Sequence, residues 1–195
     1  MHLPLVDRRI LQGLRLWLIC LCLSVAAVGS VHAQGVELVS LSASRDDSVV
    51  AMDFVIRLTL PKTVEDALEH GVPIYFVAQA DLKRERWYWR DERVARITRQ
   101  WRLAFQPLTG SWRVGLAGIN QNHATLAEAV SVMSRSAGWR LADAAQIDGD
   151  SRYYVDFIYK LDTTQLPGPM QFGMGVGLGE WTLGVERSVR VERVE

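Results

Sequence analysis

Apolar and polar residues alternate along several segments of the chain, and this period of two is the feature that most constrains the fold. Every second residue from position 50 to position 60 is apolar, whereas Asp53, Arg57 and Thr59 fall between them. Successive side chains of an extended strand point to opposite faces, so the pattern predicts a strand with one buried face. The same alternation recurs at residues 72–82, 95–105 and 153–161.

Two segments break this period and predict short helices. Each begins with the spacing of a capping box, Thr63 to Asp66 in one case and Thr125 to Glu128 in the other. A glycine follows each apolar helical pattern and is expected to stop it: Gly71 for the first segment and Gly138 for the second.

Weaker alternation in three further segments raises the expected count to about seven strands: residues 36–43, 112–116 and 181–194. Strands dominate and do not alternate regularly with helices, which argues against a parallel sheet. We therefore predict a mainly β fold, an antiparallel β-sandwich of about seven strands with two short helical insertions. A closed β-barrel is the alternative.

The first 33 residues have the layout of a secretory signal peptide. Three arginines precede an apolar run at residues 16–28, and small residues stand before Gln34. The run is shorter than the roughly 20 residues that a membrane-spanning helix needs. We expect cleavage after Ala33 and a single β-rich domain, residues 34–195, in the periplasm. The alternative is an uncleaved leader that anchors the chain in the inner membrane.

Both cysteines, Cys20 and Cys22, lie in this leader. The mature part therefore has no thiol for a disulfide or for a metal site. A lipoprotein signal would need a small residue before the modified cysteine, but Ile19 and Leu21 occupy those positions. We accordingly expect contact with a membrane only through the leader, if it stays uncleaved.

Short motifs are spread in a fixed order over nearly all of the mature part. They include Gly71-Val72-Pro73-Ile74-Tyr75-Phe76, Arg86-Trp87-Tyr88-Trp89, Gly138-Trp139, Leu161-Asp162-Thr163-Thr164-Gln165-Leu166-Pro167 and Trp181-Thr182-Leu183. In these motifs the chain resembles the DUF4390 family of uncharacterised exported proteobacterial proteins. The resemblance implies secretion and, because members are often encoded beside a membrane sensor kinase and its response regulator, a signalling context. It implies no catalytic or binding residue.

Residues 83–102 combine basic and aromatic side chains. Eight basic residues stand against three acidic ones, with Trp87, Tyr88 and Trp89 among them. Arginine beside an aromatic ring can hold an anion while the ring stacks on the ligand. Because the chain is expected outside the cytoplasm, we predict no nucleic acid as partner and instead an envelope protein or an anionic envelope component. The candidate binding residues are Arg84, Arg86, Trp87, Trp89, Arg90 and Arg93.

A long hairpin that turns near Arg90-Asp91-Glu92 is the alternative explanation of this segment, its charges forming a solvated face. In an unbroken strand, Arg96 and Arg102 point to one side. Arg93 and Arg99 then point to the other side, so the arginines form no continuous row. A bulge in the strand would realign them.

No catalytic signature occurs in the mature part. Its two histidines, His70 and His123, lack the spacing of a metal site, and no nucleophile motif is present. The glycine run at residues 173–179 does not fit a phosphate-binding loop and predicts either a strand with one bare face or a flap. We predict no catalytic residue, no metal and no cofactor.

These observations favour a non-enzymatic periplasmic interaction or accessory domain, linked through the family resemblance to envelope sensing by a two-component system. The first alternative is a small-ligand or glycan-binding module built on Trp87, Trp89 and the glycine run. The second is a hydrolase that uses carboxylates, for which the chain offers Asp143, Asp148 and Asp150.

Overall fold

The alternating segments of the chain form β-strands that pair side by side in one large sheet. The computed structural model describes residues 35–46, 49–88, 90–148, 151–166 and 181–194. The strands within these ranges are β1 (Gly35–Arg45), β2 (Val49–Thr59), β3 (Ile74–Arg84), β4 (Glu92–Gln106), β5 (Ser111–Leu116), β6 (Ile119–His123), β7 (Arg135–Asp143), β8 (Tyr153–Leu161) and β9 (Gly184–Arg193). Two α-helices interrupt them, α1 (Lys62–Glu69) and α2 (Leu126–Met133). The prediction of a mainly β fold with two short helical insertions is confirmed.

The described residues hold nine strands, more than the seven or so that the alternation predicts, because β6 and β7 carry a weak pattern. The sequence of β6 is almost entirely polar, and this strand lies at one end of the sheet with a single neighbour. In β7, the prediction that Gly138 ends the second helix is wrong. Gly138 has a φ of +59° and lies where the pairing of β7 with β2 shifts register, so it bends a strand.

The two helices begin in different ways. Thr125 caps α2 as predicted, since its Oγ1 accepts a hydrogen bond of 3.2 Å from the backbone N–H of Glu128. The prediction that Thr63 caps α1 is wrong. That helix starts after Pro61, whose carbonyl accepts the first backbone hydrogen bonds, and no side chain caps it. Gly71 follows α1 with a φ of +84°, as expected of a residue that ends a helix.

The sheet has the strand order β6-β5-β4-β3-β8-β9-β1-β2-β7, and β1 with β9 is the parallel pair among otherwise antiparallel neighbours of the described part. The sheet is curled so strongly that strands that are not neighbours in it come into contact. The ring of Phe54 in β2 lies 4.9 Å from that of Phe157 in β8, and the guanidinium of Arg99 in β4 lies 4.8 Å from the ring centre of Trp139 in β7. The end strands β6 and β7 do not pair, so the described strands form an open, curled half-barrel.

Aromatic side chains fill the space inside this curl. Tyr159 is fully buried at its centre, and its hydroxyl lies 3.4 Å from the carbonyl oxygen of Met133, to which it donates a hydrogen bond. Burial raises the pKa of the Tyr159 phenol. Four large side chains share this core with it: Phe54, Phe76, Trp101 and Phe157.

The predicted leader, residues 1–33, lies outside the described residues, as does the glycine run at residues 173–179. The cleavage site and the start of the domain at residue 34 therefore stay predictions. No helix in the described ranges is long and apolar enough to cross a bilayer.

Candidate functional site

The basic and aromatic segment folds into a hairpin of β3 and β4. Val94 bulges out of β4, so that Lys83 of β3 pairs with Arg93. The bulge changes the side to which the beginning of β4 directs its side chains. Arg93 therefore lies on the same outer face of the sheet as Arg96, whereas an unbroken strand would separate the two.

Several basic side chains of the hairpin are paired within the sheet. Arg96 donates hydrogen bonds of 2.6 and 2.5 Å to the two carboxylate oxygens of Asp81. These bonds lower the pKa of the Asp81 carboxyl group, which is buried. On the same face, Lys83 lies 2.6 Å from a carboxylate oxygen of Asp156 in β8. Such pairs hold neighbouring strands together and leave little charge for a partner.

Arg84 and Arg86, two of the predicted binding residues, share one acid. Both guanidinium groups form ion pairs with the carboxylate of Glu92 at the loop end of the hairpin. The hydrogen bond from Arg84 lowers the pKa of Glu92, and Glu92 in turn raises the pKa of Arg84. Arg84 also approaches a carboxylate oxygen of Asp148 at 4.0 Å. Much of the charge of these two arginines is therefore balanced within the protein.

The loop between β3 and β4, which we call the hairpin loop, comprises residues 85–91 and presents two aromatic rings to solvent. Trp87 is 93% exposed and Tyr88 is 69% exposed, and their ring centroids lie 4.9 Å apart in an edge-to-face arrangement. Trp89, another of the predicted binding residues, lies outside the described residues. An exposed pair of large rings is typical of an interaction surface.

Asp91 anchors the hairpin loop. One of its carboxylate oxygens accepts a hydrogen bond of 3.2 Å from the backbone N–H of Arg86, and the other accepts one of 2.7 Å from the hydroxyl of Tyr154 in β8. The bond from Tyr154 lowers the pKa of Asp91. Burial, together with this same bond, raises the pKa of Tyr154 to about 12. The loop that carries the aromatic rings is therefore hydrogen-bonded to strand β8.

Arg90 and Arg93 differ from the other arginines of the hairpin. Both are exposed, and neither forms an ion pair or a side-chain hydrogen bond within the part of the chain that the structure describes. The bulge at Val94 places Arg93 at the outer face, directly after the hairpin loop. Of the five predicted binding residues that the structure describes, Trp87, Arg90 and Arg93 are therefore the ones that are exposed to solvent and form no ion pair there.

A second basic group, which the sequence did not reveal, adjoins the hairpin loop. Arg45, Arg152, Arg190 and Arg193 line a cleft of about 180 Å³ together with Glu85, and we call it the arginine cleft. The backbone N–H of Glu85 donates a hydrogen bond of 3.0 Å to the carbonyl of Arg152, which joins the cleft to the loop. These arginines come from three distant segments of the chain, so no local motif signals them.

The sequence model of one protein family, described as a domain of unknown function (DUF4390), matches residues 33–190. The chain belongs to the DUF4390 family. The family predicted from the sequence motifs is thereby confirmed. No curated protein and no solved structure was found to match the chain. Membership of DUF4390 assigns no activity, so the function has to be argued from the site itself.

The carboxylates proposed for a hydrolase have local partners in this DUF4390 chain. Asp143 forms an ion pair with Arg140, and Asp148 accepts a hydrogen bond of 3.1 Å from Ser151 Oγ. Asp150 lies outside the described residues. Among the residues described, no three His, Cys, Asp or Glu side chains are grouped closely enough to hold a metal ion.

Proposed function

We propose that the protein is a non-enzymatic interaction domain of the cell envelope, which binds an acidic surface of a partner protein through the hairpin loop. The observation that carries this proposal is the coincidence of two exposed rings, Trp87 and Tyr88, with two exposed arginines, Arg90 and Arg93, that form no ion pair in the described part of the chain. Tryptophan, tyrosine and arginine are the residue types that contribute most to the affinity of protein interfaces.

The anchoring of the loop supports the same function. Ordering a flexible side chain on binding costs about 0.5–1.5 kcal/mol, and ordering a loop adds to that cost. The two hydrogen bonds to Asp91 already order the loop before a partner binds, which reduces the free-energy cost of ordering it on binding. Removing a large aromatic side chain from water then contributes about 1.5–3 kcal/mol. The arginines add long-range attraction, which mainly accelerates association with an acidic surface.

The location and the biological context belong to the proposal as well. A signal peptide cleaved after Ala33 would release the domain into the periplasm, where partners of a membrane sensor kinase are accessible. The resemblance to exported proteins encoded beside two-component systems supports an accessory role in envelope sensing. An uncleaved leader would hold the same domain at the inner membrane.

Charge reversal of the two exposed arginines, Arg90 and Arg93, tests the proposed surface. The variant Arg90→Glu/Arg93→Glu should lower capture of the partner protein from envelope extracts about tenfold, because attraction becomes repulsion. The control Arg135→Glu/Arg187→Glu makes the same change of charge at exposed positions on β7 and β9, and it should capture as the wild type does. Equal capture by the two variants would show that the hairpin loop is not the contact surface.

A glycan-binding module is the second candidate, and the exposed indole of Trp87 favours it because sugars stack on such rings. The same variants separate the two functions. A neutral glycan held by Trp87 would be lost in Trp87→Ala and retained in Arg90→Glu/Arg93→Glu. An acidic protein partner would be lost in both.

A further inference from the structure

Strands β1 and β9 pair with each other at one end only. Their parallel pairing covers residues 43–45 of β1 and 191–193 of β9. Before these residues each strand stays paired on its other edge, β1 with β2 and β9 with β8. The facing edges, residues 35–42 and 184–190, have no strand partner among the residues that the structure describes. We call the space between these two edges the β1–β9 groove.

A bulge in β1 explains why the two strands part. The pairing of β1 with β2 shifts register at Val39, which has no partner on β2. A bulge bends the strand that carries it. Val39 and Arg187 each lie four residues before the paired residues Ala43 and Val191, so the bend falls opposite Arg187. Val39 is 53% exposed there, as expected where a sheet opens.

The inner face of the groove is open to water. Arg187 is the register partner of Phe157, which is fully buried, so both side chains leave the sheet toward the inside of the curl. Arg187 is nevertheless exposed. Leu38 likewise pairs with the buried Ile56 and is itself only half-buried. Five apolar side chains line the groove in this half-buried state: Val36, Leu38, Leu41, Val185 and Val189.

The backbone of the groove matches that of an extended peptide. An unpaired strand edge presents a row of N–H and C=O groups that another strand can pair with. Two such edges face each other here, so a strand placed between them would bond to both. Every second side chain of that strand would point inward onto the half-buried apolar residues. The groove therefore favours a ligand that alternates apolar and polar residues.

Arg187 adds a requirement on the charge of the ligand. It forms no ion pair within the described ranges, and its hydrogen bond of 3.5 Å goes to the backbone carbonyl of Glu186. Opposite charges that face each other on neighbouring strands stabilise the pairing of those strands. A strand that fits the groove therefore carries an acidic residue among its inward apolar ones.

A second copy of this chain matches the groove poorly. Of the described strands, β6 and β7 are the ends of the sheet that it could offer. β6 is almost entirely polar, and β7 carries Arg135 and Arg140, which Arg187 would repel. The acid at the end of β7, Asp143, already pairs with Arg140. The groove is thus better suited to a segment of another protein.

We propose that the β1–β9 groove binds an extended segment of a partner protein, which has apolar residues at alternate positions and an acidic residue that pairs with Arg187. Addition of a strand to an open sheet edge is a recurrent mode of peptide recognition, in which the backbone gives affinity and alternate side chains give specificity. The groove is separate from the hairpin loop. The proposal therefore does not depend on the partner surface assigned to that loop, and Arg187→Glu leaves contacts of the loop unchanged.

Binding of a labelled synthetic peptide, followed by fluorescence polarisation, tests the groove. The probe Val-Lys-Val-Thr-Glu-Thr-Val-Lys-Val places four valines and one glutamate on one side of a strand. Arg187→Glu should weaken its binding about tenfold, because attraction becomes repulsion. Arg190→Glu makes the same change on the outer face of the same strand and should keep the wild-type affinity. Equal weakening in both variants, or no binding to the wild type at millimolar concentration, would overturn the proposal.

The same peptide with methyl groups on alternate backbone nitrogens tests the pairing of strands. Methylation removes hydrogen-bond donors of the backbone and keeps every side chain. The methylated peptide should bind about tenfold more weakly than the unmodified one. Equal affinity of the two peptides would show that the contact is not a strand addition.

Amide hydrogen exchange of the protein without peptide tests whether the two edges are open in solution. Alternate amides of residues 184–190 are bonded to β8 and should exchange slowly. The amides between them should exchange fast, and the peptide should slow them. Slow exchange of both sets without peptide would mean that this chain already covers the edge, which overturns the proposal. Dimers that form at high concentration and dissociate in Arg187→Glu would place a second copy in the groove and overturn it as well.

Discussion

Asp81 and Arg96 form a two-pronged ion pair on the outer face of the sheet. Nε and Nη2 of the guanidinium contact the two carboxylate oxygens, and the carboxyl group is buried. The hydrogen bond from Arg96 lowers the pKa of Asp81 below its ordinary value of 3.8. The folded state therefore binds this proton less tightly than the unfolded chain does. The pair stabilises the fold above the ordinary pKa, and the stabilisation is lost as the pH falls through the lowered one.

The substitution Asp81→Asn should lower the free energy of unfolding by about 1–2 kcal/mol near neutral pH, because a charge-assisted pair is lost while Arg96 stays partly exposed to water. The loss should shrink as the pH falls below 3.8. Urea denaturation of both proteins across this range measures the two effects. Asp66→Asn, which breaks an exposed pair with Lys62, is the control and should cost less than about 0.5 kcal/mol. A loss for Asp81→Asn that does not depend on pH would contradict the assignment.

At the scale of elements, the strand pattern could be predicted wherever one face is buried. The alternating residues of β2, β3 and β8 are the ones that the sheet buries. In contrast, β6 has neither a buried face nor a second neighbour, so nothing in its sequence distinguishes it from a loop. The position of the bulge at Val94 could not be predicted either, because an apolar residue at that position also fits a regular strand. That bulge decides on which face Arg93 lies.

The caps of the two helices also show where prediction from sequence fails. Both threonines have the spacing of a capping box, but only Thr125 makes the hydrogen bond. Thr125→Ala should therefore lower the free energy of unfolding by about 1 kcal/mol. Thr63→Ala, the matched substitution inside the first turn of α1, should change it by no more than about 0.5 kcal/mol. Denaturant titration of both variants distinguishes them, and equal losses would show that Thr125 is not the stabilising cap.

At the scale of the whole molecule, the curl of the sheet determines which groups meet. The hairpin could be predicted from the sequence because its two strands are adjacent in the chain. The arginine cleft could not, because it needs the parallel pairing of the first strand with the last and the approach of the segment before β8. The balance of Arg84 and Arg86 by Glu92 also depends on contacts across the hairpin that no spacing reveals.

The contact between Phe54 and Phe157 reports on the curl, because their strands are not neighbours in the sheet. Phe157→Ala should cost about 3–5 kcal/mol of unfolding free energy. A double-mutant cycle with Phe54→Ala should show a coupling of about 0.5–1.5 kcal/mol. The cycle of Phe157 with Phe105, which packs on Trp112 instead, is the control and should be additive. No coupling between Phe54 and Phe157 would mean that the two strands do not pack face to face.

The proposed function requires the hairpin loop to contact a partner protein, and site-specific photo-crosslinking in living cells detects such a contact. A photoreactive amino acid replaces Trp87 in one chain and Leu108 in another, since Leu108 is equally exposed but lies in the turn between β4 and β5. We predict a covalent adduct with one envelope protein from position 87 only, and its loss when Arg90→Glu/Arg93→Glu is added. No adduct from position 87, or the same adduct from both positions, would show that the hairpin loop is not the contact surface.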